Sequence, residues 1–130
     1  MVLLAFALPA TALPANYHQF ADQRAWLGLP HAMDVLSNLP FALMGAWGGL
    51  QLLRVGQGRL GGAQRALSAL FFVGLLLTAA CSSFYHWAPH DAGLCIDRLG
   101  MSLAFAGLLG LAVADRISDR AGVATAVVVA

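Results

Sequence analysis

The chain has 130 residues, 60% hydrophobic and 10% charged, and seven arginines against six aspartates give a formal net charge of +1. A water-soluble domain is roughly half apolar and about a quarter charged, so this composition excludes an ordinary soluble globule, and its apolar content excludes a disordered chain. No basic tail or stripe exists, which excludes nucleic acid as a partner and leaves an integral membrane protein, expected to be an all-α helical bundle because a spanning backbone must satisfy its own hydrogen bonds.

Residues 1–15 are apolar but short and are interrupted by Pro9 and Pro14. No arginine precedes Arg24 to supply the basic start of a secretory signal, so the stretch reads as part of a span. A polar, amphipathic segment follows over Asn16–His31, carrying Tyr17, His18, Asp22 and Arg24. The first full span is expected over 35–53, uncharged between Asp34 and Arg54, with Asp34 as its N-cap. Asn38 then lies one turn inside the membrane and needs a hydrogen-bond partner. Met44, Trp47 and the neighbouring glycines read as helix packing.

A second span is expected over 64–87 and a third over 92–114, each long enough to cross roughly 30 Å of hydrocarbon. The terminal run 121–130 reads as the opening half of another span, and the chain as one transmembrane domain that is part of a larger bundle. Arg54, Arg59 and Arg65 surround one loop, and Arg116 and Arg120 follow the third span. Short arginine-rich loops are usually cytoplasmic, so Trp87–Asp91 falls on the outer side. Cys81 and Cys95 stand near span ends on that side. They read as packing residues, with a disulfide between them left open.

Polar side chains inside a bilayer are functional candidates by default, and most of them gather at the outer end of the second and third spans. Ser82 and His86 are four residues apart, on one helix face. Pro89 ends that helix and the return helix starts near Asp91. At 1.5 Å per residue, His86 is roughly 5 Å and Asp97 roughly 9 Å from the turn, so the three side chains come to similar depth. A hydroxyl, an imidazole and a carboxylate admit a serine nucleophile with its base or a metal site with His as ligand and Asp as proton carrier. The serine scheme lacks an oxyanion hole and a nucleophile elbow. The metal scheme is better, although about three protein ligands are needed and one histidine is well placed. Structural readings stand beside these: Ser82 bonded to its preceding turn, His86 at the interface, Asp97 stabilised by the helix dipole, and Arg98 either paired with Asp97 or extended to the headgroups.

The segments SSFYHWAP and DRLGMSLAF, together with ADQRAWLGLPHAMDVLSNLPFALMG, resemble the alkaline ceramidase family and its bacterial members. That family belongs to a wider group of seven-helix membrane hydrolases that includes adiponectin-receptor-like proteins. Its pattern is Ser-x3-His, an Asp in the next helix, and His-x3-His in the last. The resemblance covers about Tyr17 to Phe105. It implies a partial seven-transmembrane hydrolase fold in a multi-pass protein of the bacterial inner membrane, with the site toward the outer leaflet. It further implies that His86 is a zinc ligand, that Ser82 holds the bound water or the oxyanion, and that Asp97 transfers the proton. The implied reaction is attack of a metal-activated water on the amide of ceramide or a related N-acyl lipid. Two departures stand out. No histidine follows His90, so the pair that would complete the zinc site is absent. Of the acidic calcium site of eukaryotic members only Asp22, and Asp34 at most, have counterparts, with His31 near where an acid is expected, so calcium is not expected. The alternatives are a non-catalytic, receptor-like lipid binder and a structural membrane subunit.

Overall fold

The structure is a computed structural model that describes residues 12–20, 22–56 and 58–130. The apolar stretch expected to be part of a span over 1–15 lies mostly outside them. The protein is all-helical, with α1 over Ala32–Leu36, α2 over Leu39–Arg54, α3 over Gly62–Trp87, α4 over Asp91–Arg116 and α5 over Asp119–Val129. The 26-residue helices α3 and α4, of mean hydropathy 2.0 and 1.6, are long and apolar enough to cross a membrane.

Small residues set how these two helices pack. On α4, Gly93, Asp97, Gly100, Ala104, Gly107, Gly110 and Ala114 are buried on one face, at the three- and four-residue steps of a helix–helix seam. On α3 the buried row runs through Leu67, Gly74, Thr78, Ser82 and Tyr85. The backbones approach so closely that a Cβ on Gly74 would lie 2.4 Å from the Ala104 nitrogen, and one on Gly107 would lie 2.4 Å from that of Phe71. At the lower end α5 folds back against α4, with Gly122 beside the Gly110 carbonyl and Ala114. Ser118 caps α5, its Oγ accepting from the Ala121 N–H at 3.2 Å.

α2 leans on α3 through Gly45 and Gly48, which meet Leu76 and Phe72. Its far end is closed by Arg65, whose guanidinium donates to the carbonyls of Leu52 at 3.1 Å and Val55 at 2.8 Å. These are carbonyls that a helix C-terminus leaves unpaired.

The region expected as one span over 35–53 opens differently. The chain breaks at Ser37–Asn38 between the five-residue α1 and the 16-residue α2. Pro40, in the first turn of α2, has no N–H with which to continue a ladder from α1, and a proline is tolerated at that first-turn position. Ser37 Oγ and Asn38 Nδ2 both donate to the Asp34 carbonyl, at 2.7 and 3.2 Å, so Asn38 finds its partner locally. Asp34 is therefore not the N-cap. His31 holds that position for α1, in a left-handed conformation, and Asp34 sits inside the helix. Cys81 and Cys95 are both free.

Candidate functional site

The site is built where the α3–α4 seam nears its turn. Ala88 follows the last residue of α3, donating its N–H to the Phe84 carbonyl at 3.1 Å, and α4 restarts at Asp91. Two glycines fix the register. A Cβ on Gly100 would lie 3.0 Å from the Thr78 nitrogen, and one on Gly93 would lie 3.3 Å from the Tyr85 ring. Asp97 lies between Gly93 and Gly100 on its helix, and Ser82 lies between Thr78 and Tyr85 on the other. The two therefore face each other across the seam, 6% and 8% exposed respectively.

Neither is held by a structural hydrogen bond. Thr78 Oγ1 donates to the Gly74 carbonyl at 2.8 Å, but among the described residues Ser82 makes no such turn-back bond. Asp97 Oδ1 is buried and has no partner among the described residues. Arg98 does not pair with it: its guanidinium reaches the Tyr17 hydroxyl at 3.5 Å, and the ion pairs of the described residues are His18–Asp91 and Asp22–Arg24. A buried oxygen without a donor costs about 1–3 kcal/mol. Groups left in this state often have a functional reason.

His86 stands one turn further out on α3. Its Nδ1 is buried and without a partner among the described residues, and its ring packs against Phe20 at 4.5 Å and Tyr85 at 5.3 Å between centroids. The residues before α1 form a strap that carries Phe20 there. His18 ties the strap down: Nε2 donates to Asp91 Oδ1 at 2.8 Å, and Nδ1 accepts from the Tyr85 hydroxyl at 3.0 Å. Asp22 anchors the strap's other end, with Oδ1 accepting from Arg24 Nε at 2.6 Å and Oδ2 from the Met33 N–H at 2.9 Å. Asp34 Oδ2 is a second buried oxygen without a partner among the described residues.

The seam glycines thus set Ser82 and Asp97 at one level between the helices, with no hydrogen bond joining them, and His86 stands one turn further out against the rings of Phe20 and Tyr85. The roles of Phe20 and Tyr85 had no expression in the sequence reading. The available signal was the position of Tyr85, three residues after Ser82 and so on the same buried row. No group of three or more histidine, cysteine or aspartate side chains able to hold a metal ion occurs among the described residues. Beneath the polar pair an apolar cleft of about 230 Å³ lies between α2, α3 and α4, lined by Phe41, Phe71, Thr78, Met101 and Phe105 among others. Thr78 and Met101 are each one turn deeper than Ser82 and Asp97, so the cleft begins where the polar pair ends.

Outside the helices, the Arg24 guanidinium, and after it the Met33 N–H, holds the Asp22 carboxyl below its ordinary value of 3.8. A depressed carboxyl contributes stability that is complete above the ordinary value and lost as pH falls through the lowered one. The Met33 amide should therefore stay protected from hydrogen exchange at neutral pH and lose protection only in strong acid. In Asp22→Ala that protection should be absent at every pH. Protection surviving in the variant would show that Asp22 does not anchor the strap.

What the fold and site define by themselves is a class: an all-helical protein with two helices fit to cross a membrane and a polar pair buried in their seam. Comparisons of the chain with family models, with curated proteins and with solved structures found no match.

Proposed function

We propose that this chain carries the reacting side chains of a zinc-dependent membrane amide hydrolase, in a multi-pass protein with its site toward the outer leaflet. The substrate class is ceramide or a related N-acyl lipid. One observation carries the reading: among the described residues Asp97 keeps a buried, unpartnered oxygen at the level of Ser82, His86 keeps a buried, unpartnered nitrogen one turn further out, and an apolar cleft lies directly beneath. The likeness of the SSFYHWAP and DRLGMSLAF segments to alkaline ceramidases supports the same assignment.

The cleft suits the acyl chain and leaves the amide at the Ser82–Asp97 level. Ser82 Oγ donates to the carbonyl oxygen as it gains charge. Asp97 takes a proton from the attacking water and delivers it to the leaving nitrogen. A carbon–oxygen bond forms, the carbon–nitrogen bond breaks, and fatty acid and amine leave. The fit to zinc extends to one ligand: the free His86 nitrogen suits the metal, and the described residues do not complete a set around it. Zinc, when bound, supplies Lewis acidity at the carbonyl.

The test is fatty-acid release from ceramide in mixed micelles. Release should stop on chelation, return with zinc, and be lost in His86→Ala with or without added metal. Release by His86→Ala at the unsubstituted rate would overturn the assignment. The apolar cleft, which needs no metal to hold an acyl chain, supports a second reading, a lipid binder without turnover. Its mark would be ceramide retained through purification and no release after zinc loading.

A further inference from the structure

We propose that the turn Trp26–Leu29 is an interfacial anchor, which inserts Trp26 and Leu27 into the boundary between headgroups and acyl chains of the bilayer that α3 and α4 cross. The proposal rests on the membrane reading and is independent of the hydrolase assignment. Trp26 and Leu29 exchange both backbone hydrogen bonds, at 3.0 and 2.9 Å, which leaves a two-residue apex. Leu27 and Gly28 occupy it with φ of 50° and 81°. Gly28 suits a positive φ, whereas leucine is strained there, and an exposed apex in water normally carries asparagine, aspartate or glycine. Leu27 is nevertheless 88% exposed and Trp26 59% exposed, so packing among the described residues leaves most of both side chains uncovered.

The apex continues into a wider surface, a depression that Trp26 lines with Ala25, Met33 and Leu36 and that the Asp22–Arg24 pair borders. It is also fixed relative to the helices. The Ala32 N–H donates to the Arg24 carbonyl at 3.2 Å, and Asp22 bonds Arg24 and Met33. Phe20 of the same strap packs on Tyr85 and His86, next to the exposed Trp87 that ends α3, so both tryptophans belong to one end of the bundle. The Arg24 side chain, 78% exposed, stands beside the tip. Tryptophan with an apolar neighbour and an outward guanidinium is the composition of an interfacial contact, the rings at headgroup level and the cation near phosphate. The apex itself is convex, two residues wide, and of a size to press into a fluid boundary.

The test uses the full chain in phosphatidylcholine vesicles whose acyl chains are brominated close to the carbonyl. Trp47→Phe with Trp87→Phe leaves Trp26 as the only indole, and Trp26→Phe with Trp87→Phe leaves Trp47 on α2. Brominated lipid should quench most of the emission of both, and iodide on both sides of the membrane should have little effect on Trp26. If Trp47 is quenched by lipid while Trp26 answers only to iodide, the tip is in water and the anchor is overturned. Quenching of Trp26 by neither agent means that protein covers the tip, which also overturns it. Both outcomes leave the membrane reading standing. A Trp47 that lipid does not quench removes the membrane reading and the anchor with it. Leu27→Asn, comfortable at positive φ, should move Trp26 from lipid quenching to iodide quenching with Trp47 unchanged. Unchanged Trp26 quenching would overturn the role of Leu27.

Discussion

Replacing Asp97 by Asn should lower fatty-acid release by about 10²–10⁴-fold, the usual worth of a positioned acid–base group, without lowering the melting temperature. The two halves of that expectation come from one observation. Asp97 Oδ1 is buried in the helix seam and takes no hydrogen bond, so asparagine, of the same shape, removes no structural contact. What it removes is the ability to accept a proton and pass it on. Release measured in micelles and thermal unfolding followed by circular dichroism separate the possibilities. A variant that melts earlier and hydrolyses in proportion to its folded fraction would make Asp97 a packing group. One that hydrolyses at the original rate would exclude it from the chemistry.

The second large effect concerns the packing of the same helices. Gly74→Ala and Gly107→Ala should each destabilise the protein by about 1–3 kcal/mol, the range for forcing an atom into a filled interior, although alanine is the better helix former by about 1 kcal/mol. The reason is that the atoms a new methyl meets at 2.4 Å, the nitrogens of Ala104 and Phe71, belong to backbone and cannot swing aside. Gly49 is the control, since it lies within α2 with nothing inside 4 Å of its would-be Cβ. Gly49→Ala should stabilise by about 1 kcal/mol, giving a sign opposite to that of the seam glycines. Unfolding in detergent, compared across the three variants, checks this directly. Equal effects at all three sites would refute the close-contact seam.

Much of this arrangement can be counted from residue order. Pro89 and the apolar runs on either side of it place a hairpin, and counting outward from the turn sets Ser82 against Asp97. What could not be counted are contacts made by segments without a period. Phe20 reaches His86 from 66 positions away through a strap of turns, and no spacing announces it. The break at Ser37–Asn38 was hidden for another reason: hydropathy runs smoothly through it, and the decision rests on two side chains competing for one carbonyl, that of Asp34. Arg98 follows Asp97 directly and so invites a pairing, but consecutive residues on a helix point about 100° apart, and the guanidinium turns to Tyr17.

The clasp of His18 on Tyr85 and Asp91, with Phe20 laid over His86, has a consequence for traffic. It roofs the end of the bundle nearest to water, whereas the cavity beneath is rimmed at its flank by the exposed rings of Phe41 and Phe105. For the N-acyl lipid proposed above, the open route to the Ser82–Asp97 level is therefore sideways between helices, where a doorway of rings would select by shape and oiliness before any polar group is tested.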